Sequence, residues 1–244
     1  MSLKARYSDG KEVEITDSGT ALEIYRHSAS HIMATAVSNL FPGTHLGIGP
    51  AISDGFYYDF ECAQPFSEED LKKIEAEMKA IIARKLNFEP SVISKEEAIN
   101  YFTKQGEHLK VELIQEKAGE TLSCYRLGDL VDFCLGPHLC STSQIHPESF
   151  QILSVAGSYW RGDEHRQQLQ RIYGTAFLTP DELAEYLKQL EEAKKRDHRK
   201  LGRELDLFSM SEEAGPGLAF WHPKGTRIRL TIEEFLRNEL YSRG

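Results

Sequence analysis

Long apolar runs and cysteines are both scarce in this chain of 244 residues. No apolar stretch approaches the roughly 20 residues that a membrane-spanning helix needs, and the first residues form no apolar core of signal-peptide length. Four cysteines are too few for a disulfide framework in a chain this long, so we expect thiols and a cytoplasmic location. These features argue against a membrane protein and against a small secreted domain.

Basic residues are also in the minority. The chain carries 29 lysines and arginines against 38 acidic residues, which gives a net charge of −9. This balance disfavours phosphate binding over the whole surface, so any nucleic-acid contact must be local. The one dense basic run covers residues 194–203. It is either an RNA-facing surface or the solvated face of a linker.

The stretch from Thr20 to Leu40 carries the first chemical signal. Thr20 followed by Glu23 has the pattern of a capping box, which predicts that a helix begins there. Apolar residues recur along one broad face of this helix, while His27 and His31 lie one turn apart on the opposite face. A histidine pair at this spacing is often only solvated, so it requires a second signal.

The second signal is Cys134 with His138, which repeats the four-residue interval. Gly136 and Pro137 between them prevent helix continuation and predict a tight loop. A thiol and an imidazole on that loop would join the two helical histidines in a constellation of four groups. Such a set can hold zinc or activate water.

The remaining elements predict an α+β fold. Residues 3–16 alternate around Asp9-Gly10 as a hairpin does, and start signals at Ser67 and Ser94 each open a helix. Residues 108–114 are too few to assign to helix or strand. Because the strands show no regular βαβ rhythm, we expect a largely antiparallel sheet with packed helices. Thr179-Pro180 then opens a long helix.

Six motifs occur together in this chain. They are His27-Ser-Ala-Ser-His31, Ile48-Gly-Pro with Gly55-Phe-Tyr-Tyr-Asp59, Asp132-Phe-Cys134-Leu-Gly-Pro-His138, Gly157-Ser-Tyr-Trp-Arg-Gly-Asp163, Leu169-Gln-Arg-Ile-Tyr-Gly-Thr-Ala176 and Arg196-Asp-His-Arg-Lys200. Taken together, they resemble the N-terminal half of a bacterial-type threonyl-tRNA synthetase. The paired HxxxH and CxxxH spacings are shared with the editing domain of alanyl-tRNA synthetases, whereas the stretch from Trp160 to Ala176 and the sequence after Phe208 select the threonyl family.

The resemblance implies four segments: a leader or hairpin over residues 1–19, an editing domain over 20–178, a linker helix over 179–205 and a truncated start of the class II catalytic core over 206–244. ATP-binding motifs and the zinc ligands of the synthetic site are missing from this sequence. Aminoacylation with ATP, magnesium and zinc is therefore expected of the whole enzyme, which the family implies to be a homodimer, and not of this chain alone.

The resemblance also implies the activity. Serine lacks one methyl group of threonine, and a binding pocket can discriminate against that loss by only about 1–3 kcal/mol. Mischarged seryl-tRNA(Thr) therefore needs hydrolytic correction. The acceptor end of tRNA(Thr) is the implied partner, and no cofactor is required. His27 and Lys110 resemble the pair that activates water and protonates the leaving group. The remaining implied residues are His31, Asp132, Cys134 and His138 in the site, Tyr58, Trp160 and Arg161 for substrate, and Lys195, Arg196 and Arg199 for tRNA.

Two other functions use the same residues. A zinc-dependent hydrolase or lyase would bind metal through His27, His31, Cys134 and His138, although four protein ligands suit a structural metal better than a catalytic one. A non-catalytic tRNA-docking module would use the histidines only to contact phosphate. Metal occupancy and hydrolysis of mischarged tRNA separate these alternatives.

Overall fold

The computed structural model of the chain describes residues 3–117, 119–211, 215 and 217–244. It divides into two compact units, the first ending at Ala184 and the second beginning at Glu185. Among the described residues, no helix is both long enough and apolar enough to cross a membrane.

The first unit combines short strands with packed helices. Its elements in chain order are β1 (Leu3–Arg6), β2 (Glu12–Ile15), α1 (Ser18–Leu40), β3 (His45–Leu46), β4 (Ala51–Ile52), β5 (Gly55–Glu61), α2 (Glu68–Ala83), β6 (Glu89–Ser94), α3 (Lys95–Lys104), α4 (His108–Lys117), β7 (Thr121–Leu127), β8 (Leu130–Phe133), β9 (His138–Leu139), β10 (Phe150–Tyr159), β11 (Gln168–Ala176) and the start of α5 (Pro180–Lys195).

Three sheets organise this unit, and every described strand pair in them is antiparallel. The largest has the strand order β10-β11-β5-β3, with β4 also paired to β5. The smaller sheets are β6-β7-β8 and β2-β1-β9. The predicted α+β class with a largely antiparallel sheet is confirmed, and so is the hairpin over residues 3–16.

Helix α1 lies at the centre of the core, but it begins earlier than predicted. The Asp17 carboxylate accepts hydrogen bonds from the backbone N–H of Thr20 at 2.7 Å and from its hydroxyl at 2.8 Å. Because Asp17 occupies the N-cap position, the helix starts at Ser18 and the predicted Thr20 cap is wrong. The helix is also buried on more than its apolar face, since His31 is only 5% exposed.

The helix starts predicted at Ser67 and Ser94 are confirmed. Ser67 with Asp70 and Ser94 with Glu97 form complete capping boxes at the beginnings of α2 and α3. Residues 108–114, which the sequence left unassigned, lie in the helix α4, which runs from His108 to Lys117. This helix carries Lys110 into the core, where it is 2% exposed.

The second unit consists of the end of α5, α6 (His198–Glu204), the antiparallel pair β12 (Phe208–Met210) and β13 (Ala219–Trp221), and α7 (Pro223–Arg243). The segment 179–205 is two helices, because α5 ends at Lys195 and α6 begins after Asp197. The Asp197 side chain accepts a hydrogen bond from the backbone N–H of Arg199 at 2.8 Å, which caps the new helix.

Candidate functional site

The four residues found by spacing meet at one point. Cys134 Sγ lies 3.2 Å from His27 Nε2 and 3.4 Å from His138 Nε2. With His31, these residues place one ligand-capable atom each within 4.8 Å of one another. Helix α1 supplies two of the imidazoles, the loop after β8 supplies the thiol, and β9 at the end of that loop supplies the third imidazole. Two segments distant in sequence therefore build one cluster.

Further side chains orient these imidazoles. The Ser28 hydroxyl lies 3.2 Å from His138 Nδ1 and accepts a hydrogen bond from the backbone N–H of Leu139 at 2.9 Å. The Phe88 ring stacks on the other side of His138, with ring centroids 4.9 Å apart. Ser28 and Phe88 were not predicted as site residues. The only sequence signal for Ser28 was that a small polar residue directly follows His27, and Phe88 had no such signal.

A buried ion pair borders the cluster. The Lys110 ammonium pairs with the Asp132 carboxylate and donates a hydrogen bond to the Tyr58 hydroxyl at 3.0 Å. The Tyr58 hydroxyl donates in turn to Asp132 Oδ2 at 2.5 Å. Asp132 Oδ2 is also 3.5 Å from His31 Nδ1, so this carboxylate connects the ion pair to the histidines. All of these side chains are nearly inaccessible to solvent.

Burial sets the charge state of the imidazoles. Desolvation lowers the pKa of His27, although the Pro137 carbonyl and Asp132 oppose the shift. It lowers the pKa of His31 to about 3, and together with the other two histidines it places the pKa of His138 well below the ordinary range. All three rings are therefore neutral at pH 7.

Burial disfavours the charged form of both acidic groups, but the net shift differs between them. It raises the pKa of the Cys134 thiol to about 12, so Cys134 is protonated at neutral pH. It also disfavours the Asp132 carboxylate, but the Lys110 ammonium and the hydrogen bond from Tyr58 outweigh that effect and lower the pKa of Asp132. A single charged pair, Lys110 with Asp132, thus lies beside a neutral cluster.

A cavity of about 440 Å³ opens onto these groups. Its lining combines polar and apolar side chains. The polar ones are His27, His31, Lys110, Asp132 and Cys134 with Thr121, and the apolar ones are Ile48, Pro50, Leu113, Leu122, Phe133 and Leu135. This volume and mixture of groups suit a small organic ligand with one polar end.

The three residues predicted to contact substrate are not among the described residues that line this cavity. Tyr58 is fully buried behind Lys110, and neither Trp160 nor Arg161 is among the described residues that line this cavity. Trp160 packs instead with Leu109 and Leu113 of α4.

Comparison with known proteins finds sequence similarity that includes the segment around Cys134. A family profile described as "Threonyl and Alanyl tRNA synthetase second additional domain" matches residues 122–173, which include β7, β8 and the Cys134 loop. Threonine-tRNA ligase of Pelobacter propionicus is 52% identical over 100% of the chain, and that of Gloeobacter violaceus is 54% identical over 90%. The chain is a homologue of threonine-tRNA ligases. It spans 38% and 35% of the length of these two relatives.

The loop that carries Cys134 depends on a glycine. Gly136 has a φ of 66°, and a Cβ built on it would lie 2.2 Å from the Tyr125 hydroxyl oxygen. Its backbone N–H donates to Cys134 Sγ at 3.2 Å. Tyr125 in turn donates to the Arg6 carbonyl at 3.1 Å and packs against His138. The loop is therefore fitted closely around the thiol.

The basic run over residues 194–203 lies in the second unit and has acidic partners there. Lys195 Nζ is 3.1 Å from Glu191 and 3.0 Å from Glu192, and Arg199 pairs with Asp197 at 2.7 Å. Arg196 approaches Glu192 at 3.9 Å. These side chains are exposed, so the pairs contribute little to stability and can exchange for phosphate.

Proposed function

We propose that the first unit, as the editing domain over residues 20–178, hydrolyses the ester of mischarged seryl-tRNA(Thr). One observation carries this proposal: a neutral imidazole, His27, and an ion-paired ammonium, Lys110, line the same cavity. The chain's relatives are threonine-tRNA ligases, which makes the acceptor end of tRNA(Thr) the natural partner. Ester hydrolysis needs a proton acceptor for water and a proton donor for the leaving hydroxyl.

The neutral His27 ring is the proposed proton acceptor. A water molecule attacks the carbonyl carbon of the ester while His27 takes one of its protons. The Lys110 ammonium supplies a proton to the ribose oxygen as the carbon–oxygen bond breaks, and the proton on His27 then returns to Lys110 through solvent. Asp132 and Tyr58 hold the ammonium in place throughout. The products are serine and a free tRNA 3′ end.

Cys134 is not the proposed nucleophile. Burial raises the pKa of its thiol to about 12, and the reactive form of a cysteine is the thiolate. Its place beside His27 and His138 makes it part of the wall of the site. Water is therefore the nucleophile in the proposed reaction.

Selectivity for serine follows from packing. Polar side chains that line the cavity are held by hydrogen bonds, Asp132 by the Tyr58 hydroxyl and Cys134 by His27, so they have little freedom to move. The additional methyl of threonine would overfill this space, which costs roughly 1–3 kcal/mol in a packed interior.

The test is hydrolysis of seryl-tRNA(Thr) and threonyl-tRNA(Thr) by the chain at high tRNA concentration. We expect release of serine at a rate about 10–100-fold above that of threonine, which corresponds to this cost. Equal rates for both substrates would contradict the assignment of the cavity. Binding of both tRNAs without hydrolysis would instead support the docking module.

A metal centre is the second candidate function, favoured by the compactness of the four-residue cluster. Tetrahedral zinc places its nitrogen and sulfur ligands about 3.3–3.8 Å apart, and the Cys134 Sγ distances of 3.2 and 3.4 Å lie close to the lower end of that range. His27, His31, Cys134 and His138 would hold the ion, with Ser28 and Asp132 as outer partners. A bound zinc would supply positive charge that stabilises the thiolate.

Four protein ligands would close the zinc shell, so this alternative makes the cluster structural and removes His27 as the proton acceptor. Elemental analysis of protein purified without added zinc decides between the two. Our proposal predicts less than about one tenth of an equivalent and unchanged hydrolysis after chelation. One equivalent of zinc that is lost in the Cys134→Ala variant would overturn the role of His27.

A further inference from the structure

Glu112 on α4 gathers side chains from the turn between β10 and β11. Its carboxylate accepts hydrogen bonds from Trp160 Nε1 at 3.0 Å and from both terminal nitrogens of Arg166 at 2.8 and 2.6 Å. Arg161 Nε lies 3.5 Å away. Glu112 is two residues beyond Lys110 on the same helix. The turn is therefore attached to the helix that carries the proposed proton donor.

Apolar contacts reinforce this attachment. Trp160 is 1% exposed and packs in one cluster with Leu109 and Leu113, which flank Lys110 along the chain. Leu169 on β11 belongs to the same cluster. The two leucines are one turn apart and share a face of α4, so it is this face of the helix that joins the cluster with Trp160.

The direction of the side chains relates Glu112 to Lys110. At about 100° per residue, two positions along a helix differ by about 160° when measured the shorter way round, so Glu112 and Lys110 point in nearly opposite directions. The contacts to Glu112 therefore hold one side of α4 while Lys110 extends from the other. Any rotation of the helix about its axis would move the Lys110 ammonium relative to Asp132.

The backbone of the turn between β10 and β11 is strained at one residue. Arg161 has a φ of 59°, a left-handed conformation that a residue with a side chain adopts only at an energetic cost. Its guanidinium donates to Glu116 at 2.5 Å, again on α4. The contacts with α4 hold the turn in this conformation.

We propose that Glu112 and Trp160 are positioning residues for Lys110, because they fix the rotation of α4. This inference rests on the proposed function. Asp132 and Tyr58 hold the ammonium end of Lys110, but its four-carbon stem is flexible. The place of its Cα must therefore be fixed separately, and the Glu112 contacts do this.

Two variants weaken the attachment in different ways. Glu112→Gln keeps the shape of the side chain and removes its charge, whereas Trp160→Phe keeps most of the packing and removes the N–H donor. The matched control is Glu75→Gln. Glu75 accepts a hydrogen bond from the Ile152 backbone N–H at 3.0 Å and so attaches the same hairpin to α2 instead of α4.

The first measurement is the rate at which Lys110 is methylated by formaldehyde and cyanoborohydride, followed by peptide mass spectrometry in the intact chain. A buried amine reacts only through local opening, so Lys110 should react about tenfold faster in both variants. The exposed Lys72 serves as the reference, and Glu75→Gln should leave the Lys110 rate unchanged. This measurement requires no tRNA.

The second measurement is seryl-tRNA hydrolysis. Misplacement of a catalytic group by about 1 Å costs on the order of 100-fold, so kcat should fall by that factor while KM is unchanged. An unchanged Lys110 methylation rate in both variants would overturn the positioning role. If the wild-type chain fails to hydrolyse seryl-tRNA but the variants still speed methylation, the proposed function fails and the positioning of Lys110 stands.

Discussion

At the scale of single residues, desolvation controls the chemistry of the site. The imidazoles of His27, His31 and His138 are all neutral at pH 7 because burial lowers the pKa of each. A neutral imidazole can accept a proton, whereas an imidazolium cannot. The site therefore needs no extreme pH to place a base beside the cavity.

The same shifts make the free energy of unfolding depend on pH. In the unfolded chain these histidines return to the ordinary pKa of 6.5, so below that pH the unfolded state binds more protons than the folded state. Stability is therefore fully present above pH 6.5 and falls as the pH drops toward the folded pKa, which for His31 is about 3. Urea unfolding with a chelator present should show a loss on the order of 2 kcal/mol at pH 5 from His31 alone, and the lowered pKa values of His27 and His138 should add to it.

The exposed His165 provides the control for this titration. The His165→Asn variant should show the same pH dependence as the wild type, because His165 is exposed and the predicted loss comes from the rings of the site. A free energy of unfolding that is constant between pH 7 and pH 5 would show that the buried imidazoles do not titrate as described.

Some of these residues could be predicted from the sequence and others could not, for a physical reason. His27 with His31 and Cys134 with His138 were found because helical periodicity and a Gly-Pro loop are local features. Lys110 entered only through the family resemblance, since packing of α4 brings it to the site. Ser28 and Glu112 were missed, because an exposed-looking polar residue gives no sign of the partner that will bury it.

At the scale of elements, buried helices were the hardest to predict. Helix α4 packs on two clusters, with Ile114 in one and Leu109 and Leu113 in the other, so its apolar residues do not form one stripe. Helix α1 was predicted, but its start was misplaced because Asp17 is a better cap than Thr20. Capping boxes at α2 and α3 could be predicted because all of their atoms lie within four consecutive residues.

The loop that carries Cys134 provides a prediction at this scale. Gly136→Ala introduces both a strained φ and a contact with Tyr125, and it should lower the free energy of unfolding by about 2–4 kcal/mol. Gly43→Ala is the matched control, because Gly43 has a φ of 88° with open space around it. That variant should lose only about 1 kcal/mol. Urea unfolding compares the two, and equal losses would show that the fit against Tyr125 contributes nothing.

At the scale of the whole chain, charge limits where tRNA can bind. The net charge of −9 repels phosphate at long range, so we keep the prediction that Lys195, Arg196 and Arg199 help to seat tRNA. Their acidic partners are exposed, and such pairs are worth only about 0–1 kcal/mol. A phosphate can therefore replace a carboxylate without much loss.

Charge reversal tests this prediction. The double variant Lys195→Glu and Arg199→Glu should bind tRNA(Thr) more weakly, and the slope of log K against log salt should fall by about one for each lost phosphate contact. Lys188→Glu is the control, since Lys188 is exposed on the same helix α5 outside the basic run. An equal effect of both changes would indicate a non-specific response to net charge.

The central claim is that His27 and Lys110 carry out ester hydrolysis in one cavity, and single-turnover hydrolysis of seryl-tRNA(Thr) at saturating protein tests it most directly. His27→Ala and Lys110→Ala should each slow the reaction by about 100- to 10,000-fold, the usual cost of losing a positioned acid or base. Cys140→Ala, which changes a half-buried thiol outside the cavity, should keep the wild-type rate. Full activity of His27→Ala would contradict the claim.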